Sequence, residues 1–322
     1  MPDLTAYARH SRYSDPGPHG AVLAAVEPTP EALHHAACAT LVHYRGQASE
    51  LAAGQDADID LRWLADVLDV ATTRVAGPLD TDRPVPDRVA GCCRDFTLLA
   101  VGALREHGIP ARSRIGFAGY FEGGFHHDHV VAERWDGRRW VRFDAMLDPA
   151  NGPRPDPRPD RSPHLQAWGF DVHDMPTGPR SPFETAAEVW QQVRAGTVDP
   201  ATYGVDASLP DLCGPEFVRG YVIEELAHRQ CDELLLWDVW GDTLPPGFQP
   251  EPRPDDEYDA LADEVADLLV RADAGDTTAE AELDARYATD ERLNPRATVV
   301  TLSPTGRVGD TDLVGRSTRW RS

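Results

Sequence analysis

Apolar residues recur along this chain at two periods, one helical and one alternating. Behind Thr29-Pro30-Glu31, Leu33, Ala37, Leu41 and Tyr44 follow helical spacing. Thr29 reads as the N-cap and Pro30 as the first helical position, where a missing N–H costs nothing. Leu61, Leu64, Leu68 and Ala71 predict a second helix over 61–72, and the Pro- and Asp-rich stretch 77–86 reads as a loop. A third helix opens at Gly91-Cys92-Cys93-Arg94-Asp95 and carries the stripe Phe96, Leu99 and Ala103. Gly108 and Pro110 stop it near His107.

Period-two runs then predict strands over 111–117, 129–135 and 139–143. Asp136-Gly137, between the second and third runs, is a two-residue hairpin signal. A symmetric turn there sets His129 directly across from Asp144, with Val130, Ala132, Val141 and Phe143 on the opposite, apolar face. A one-residue slip would break that pairing. Residues 148–163 are rich in Pro and Asp and read as an exposed loop. The remainder reads as mostly helical, over 185–194, 216–231 and 258–272. The expected class is α+β, an antiparallel sheet against the Cys93 helix. Residues 1–150 would form N-terminal helices and a core, and 151–322 a mostly helical extension packed on it as one unit.

Composition narrows the chemistry. A net charge of −23 over 322 residues disfavours nucleic acid and anionic membranes, which need clustered cations. The arginines of 154–161 are interleaved with Pro and Asp and make only a local patch. No stretch of 18 apolar residues and no secretory h-region is present, so the expectation is a soluble, cytoplasmic chain. Five cysteines, Cys38, Cys92, Cys93, Cys213 and Cys231, are too irregular for a disulfide framework, and in a reducing compartment a free cysteine is open to catalytic use. The sequence contains no lysine, so every strong cation is Arg and no Lys acceptor exists for an isopeptide link to itself.

A His held by an Asp keeps one tautomer and gains basicity toward a nucleophile. Cys93, opening a helix, sits where backbone N–H groups and the dipole favour a thiolate. Each feature alone has an ordinary structural reading, since most cysteines are small core residues and most His–Asp pairs are structural. His126-His127-Asp128-His129 suggests a metal site, but a strand sends these side chains to alternate faces, so no metal or other cofactor is expected. His127 would instead share the face of His129 after a Gly123-Gly124 turn. Asp95 is expected to balance the helix N-terminus or to pair with Arg94 or Arg112. Trp237 and Trp240 are candidates to cover the cleft or to join the core. Candidate oxyanion donors are the Cys93 backbone N–H and the side chains of His43 or Gln47.

Three segments together resemble the transglutaminase-like superfamily. Gly91-Cys92-Cys93-Arg94-Asp95-Phe96 with Gly108-Ile109-Pro110-Ala111-Arg112 resembles its cysteine motif. His129-Val130-Val131-Ala132-Glu133 is similar to its histidine strand, and Trp140-Val141-Arg142-Phe143-Asp144 to its aspartate strand. The likeness covers roughly 86–148, and the segments 190–196 and 217–241 also look like those of an uncharacterised bacterial branch. It implies Cys93 as nucleophile, His129 as base then acid, and Asp144 as orienter. It implies no particular substrate, since members cross-link proteins, hydrolyse amides, cleave peptides or have lost activity. Where the family commonly carries an aromatic after the histidine, this chain has Val130, and Cys92 at the variable position is unusual. The expected function is acyl transfer or hydrolysis on an amide or thioester carbonyl of a small-molecule or peptide substrate, through a Cys93 thioester. The alternatives are a non-catalytic binding module using the same cleft and a helical scaffold with a transglutaminase-like core.

Overall fold

A computed structural model describes residues 4–148, 169–250 and 252–321. The arginines of 154–161 and most of the loop read over 148–163 lie outside the described residues. The chain divides into two compact units, neither continuous in sequence. The first comprises Met1–Arg114, His129–Thr177 and Cys231–Glu233; the second comprises Ile115–Asp128, Gly178–Gln230 and Leu234–Ser322.

In the first unit, helix α1 is Gly20–Ala24 and α2 is Pro30–Thr40. Thr29 caps α2, its hydroxyl accepting the Ala32 N–H at 3.3 Å, with Pro30 as first helical residue. The helix ends before Leu41 because the chain extends there into strand β1, Leu41–His43. Helix α3 spans Leu64–Arg74 and strand β2 Val89–Gly91. β1 and β2 pair in parallel, with His43 opposite Gly91. Helix α4, Cys93–Glu106, follows directly and is buried on every side from Cys93 to Arg105. The stripe of Phe96, Leu99 and Ala103 therefore marks no single buried face. Gly108, at φ 69°, and Pro110 end the helix, with Ile109 N–H returning to the Leu104 carbonyl at 2.9 Å.

Strands β3, Ala111–Glu122, and β4, Phe125–Trp135, begin and end in different units and are longer than periodicity suggests. β5 is Trp140–Phe143, and the sheet order is β5-β4-β3-β6, with β6 at Phe183–Thr185. The β4–β5 register pairs Ala132 with Phe143 and Trp135 with Trp140, so His129 and Asp144 are not directly opposite. The turn centres on Gly137-Arg138 instead of Asp136-Gly137. The Asp136 carboxylate accepts the Arg138 and Arg139 N–H groups at 2.8 and 2.9 Å, and Gly137 supplies the positive φ at the first central position. The shift from the expected register is two residues, which preserves faces. Val130, Ala132, Val141 and Phe143 are all buried on one face as expected. The other face is also buried: the Glu133 carboxylate accepts from Arg112 at 2.8 Å, Arg142 at 3.0 Å and Arg114 at 3.4 Å.

In the second unit, α5 is Ala186–Arg194, β7 Tyr203–Gly204, α6 Pro215–Arg229 and β8 Asp238–Val239. Helices α7, Asp255–Asp273, and α8, Thr277–Thr289, follow. The chain then forms strands β9, Thr298–Leu302, β10, Val308–Asp312, and β11, Ser317–Trp320, in an antiparallel sheet ordered β11-β10-β9-β8. This sheet is added to a part whose longest elements are the helices α5 to α8. Trp237 and Trp240 are both buried in this unit, and the Trp240 indole donates to the Leu293 carbonyl at 2.9 Å.

Candidate functional site

The site is built where β2 runs into α4. Gly91 must be glycine: a Cβ there would lie 2.7 Å from the Asp95 Oδ2. That carboxylate accepts the Cys92 N–H at 2.8 Å, one half of a capping box, and is paired with Arg94 at 2.8 Å. Burial pushes the Asp95 carboxyl up, against the opposing pull of Arg94 and the Cys92 N–H. Arg112, the other partner considered for Asp95, binds Glu133. The cap fixes Cys92 as N-cap and Cys93 as the first residue of α4. Both thiols are buried, at 3% and 4% exposure, so access alone does not separate them.

Two anchors locate Cys93 relative to β4. Thr97, one helical turn further on and on the same side of α4, donates its hydroxyl to the Val130 carbonyl at 2.8 Å. Val130 directly follows His129. On the other side, Gly91 pairs with His43, whose ring lies close enough to His129 and Asp144 to feel both electrostatically. Cys93 thus lies between Gly91, paired with His43, and Thr97, bonded to the Val130 carbonyl.

The His129 Nε2 and Asp144 Oδ2 are 2.7 Å apart, and both side chains are buried. An ionised carboxylate only accepts, so Nε2 carries the hydrogen and the lone pair of the neutral ring is on Nδ1. The second Asp144 oxygen accepts the Met146 N–H at 2.8 Å, which fixes the carboxylate's tilt. Helix α2 holds the next carbonyl: the His34 Nδ1 lies 3.0 Å from Ala145 O, and the Cys38 thiol reaches the same oxygen at 3.9 Å. Burial, aided by Asp144, pushes the Cys38 thiol up to about 12, so it is no competing nucleophile at neutral pH. These supports from α2 were missed in the sequence; only the His34–Cys38 helical spacing hinted that the two act together.

The other histidines of the 126–129 run go elsewhere. His126 stacks on Tyr203 at 4.3 Å, and His127 meets the Val205 carbonyl at 3.0 Å, both within the second unit. Among the described residues no group of three or more His, Cys, Asp or Glu side chains is arranged to hold a metal ion. Gln47, considered as an oxyanion donor, points its amide to Glu50 at 3.5 Å.

The arrangement is a buried thiol at a helix N-terminus and, in the same unit, a buried, carboxylate-held imidazole, within a mixed helix-and-sheet architecture. Residues 56–145 match the family model of the Transglutaminase-like superfamily. That stretch contains the Cys93, His129 and Asp144 segments. A solved structure of a candidate cysteine protease from Cytophaga hutchinsonii is also similar, at 20% identity and a TM-score of 0.29, over 47% of this chain and 45% of that one. The chain thus spans under half the length of that protein. No curated protein matches the chain. Among the described residues no helix is long and apolar enough to cross a membrane.

Proposed function

We propose that this protein is a cysteine-dependent enzyme that transfers or hydrolyses acyl groups, with Cys93, His129 and Asp144 as its triad. The observation that carries this reading is the buried His129–Asp144 pair at 2.7 Å, beside a helix opened by Cys93. In the proposed reaction His129 Nδ1 takes the thiol proton, and the Cys93 sulfur adds to an amide or thioester carbonyl carbon. The π pair moves to oxygen. When it returns, the bond to the leaving amine or thiol breaks, and His129 returns the proton to that group. A Cys93 thioester remains, which water or a small amine resolves with His129 again as base. Asp144 keeps Nε2 protonated and stabilises the imidazolium. The substrate proposed is a small molecule or peptide, and the compartment the cytoplasm, which keeps the thiol reduced.

The test is intact-mass analysis after incubation with a panel of amides and thioesters. An acyl adduct should form on the parent and be absent in Cys93→Ala at unchanged melting temperature. Unchanged turnover in that variant would refute the triad. One observation favours a second reading, a non-catalytic module: Cys93 is only 4% exposed. Limiting iodoacetamide near neutral pH separates the two. The enzyme reading expects Cys93 to be labelled before Cys92 and more slowly in His129→Ala. A thiol inert to the reagent supports the binding module.

A further inference from the structure

Acyl addition puts negative charge on the carbonyl oxygen, and that oxygen needs preorganised N–H donors. The helix start supplies backbone groups; a side-chain donor has to come from another element. The parallel pairing of β1 with β2 sets His43 opposite Gly91, two residues before Cys93, and the Tyr44 N–H reinforces it by donating to the Gly91 carbonyl at 2.9 Å. The Gly46 N–H donates to His43 Nδ1 at 3.2 Å. A nitrogen that accepts has no hydrogen, so the neutral ring carries its hydrogen on Nε2. The ring is stacked on Tyr44, with centroids 5.6 Å apart and planes 25° apart, which restrains its plane. Among the described residues Nε2 makes no hydrogen bond, and the side chain is half-buried.

We propose that His43 is the side-chain oxyanion donor of this site, its Nε2–H hydrogen-bonding the oxygen that gains charge when Cys93 adds to an acyl carbonyl. The assignment rests on the acyl-transfer reading above. Burial, then the charges of His129 and Arg45, push the His43 imidazole down to about 4, with Asp144 opposing. The ring is therefore neutral at physiological pH. A neutral donor adds no second cation to repel the imidazolium formed on His129. Gln47, the other side chain considered from this segment, donates its amide to Glu50 at 3.5 Å.

The test compares two reactions of Cys93 in the full chain. Acylation by p-nitrophenyl acetate, read as the burst of p-nitrophenolate, develops charge on a carbonyl oxygen. Alkylation by iodoacetamide displaces iodide at a saturated carbon, and no carbonyl oxygen gains charge. His43→Phe keeps the ring's bulk without the donor, and His43→Gln restores an N–H donor. The expected result is acylation slowed about 10²–10³-fold in the Phe variant, with alkylation within about twofold of the parent. The Gln variant should recover most of the acylation rate. Parallel loss of acylation and alkylation overturns the assignment, because it would place His43 in thiol activation or folding. A Gln variant as slow as Phe, or a Phe variant as fast as the parent, overturns it equally. A parent that alkylates at Cys93 but is never acylated refutes the acyl-transfer reading itself, and the assignment falls with it.

Discussion

At the scale of single residues, the Asp144 carboxylate accepts from His129 on one oxygen and from the Met146 N–H on the other; in the proposed triad it holds the His129 tautomer and stabilises its cation. Asp144→Asn keeps the shape and loses the charge, so turnover should fall by about 10²–10⁴-fold while Cys93 still reacts with alkylating agents. Steady-state kinetics beside timed iodoacetamide labelling checks both halves; full activity in the variant would make the pair structural. His43 adds a pH effect with a definite sign. Its imidazole is held down to about 4, against 6.5 for the free group. Above 6.5 neither the folded nor the unfolded state is charged there, so it has no effect on stability. As pH falls from 6.5 toward 4 the unfolded chain takes the proton first, and stability is lost. His34, lowered by burial despite Asp144 and Asp148, acts in the same direction. Melting temperature measured from pH 7.5 to 4.5 should drop less steeply in His43→Gln than in the parent, and parallel curves would count against the neutral ring.

At the scale of elements, the junction of β2 and α4 is the tightest part of the site. Gly91→Ala would place a methyl 2.7 Å from the Asp95 Oδ2 and 3.0 Å from its Cβ. The three nearest atoms all belong to the Asp95 side chain, so that side chain must move and its cap on Cys92 must break. The expected cost is about 1–3 kcal/mol of stability, from overpacking and a lost buried hydrogen bond. Slower labelling of Cys93 should accompany it; urea titration and peptide mapping read the two effects. Much of this junction was legible in the sequence, because Gly-Cys-Cys-Arg-Asp ahead of an apolar stripe encodes a helix start. The faces of the β4–β5 hairpin were legible too, since parity survives a shift of two. The register was not, because the Asp136 side chain, invisible to periodicity, moves the turn centre by one residue. Strands β1 and β2 are three residues each, too short for alternation to register, and so the position of His43 could not be foreseen. The β9 strand carries its own signal in Thr298-Val299-Val300-Thr301, a β-branched run, although it follows a long helical stretch.

At the scale of the whole molecule, the absence of lysine leaves the chain without Lys acceptors of its own acyl groups, whatever resolves the proposed thioester. The charge of −23 disfavours anionic partners, yet the buried interior of the first unit is built on arginine. A short return of the chain completes that unit. Cys231–Glu233 belongs to it although the residues before and after belong to the second. Glu233 is fully buried, pairs with the equally buried Arg105 at 2.8 Å and accepts the Ser11 hydroxyl. Its backbone carbonyl accepts Arg94 Nε at 3.1 Å, and Arg94 is the residue after Cys93. Glu233 thus ties the start of α4 to Arg105 in its last turn. Glu233→Ala removes the carboxylate and leaves Arg105 with the Ser14 hydroxyl, the Ala111 carbonyl and the Cys231 thiol as acceptors. A buried charge deprived of its partner typically costs about 3–5 kcal/mol, far more than loss of an exposed pair. Exposed Arg271–Asp267 gives the internal control, expected to change stability by less than about 1 kcal/mol in Asp267→Ala. Urea unfolding of both variants tests the contrast. If Glu233→Ala costs no more than Asp267→Ala, the short return does not hold the first unit together and the division of the chain is only nominal.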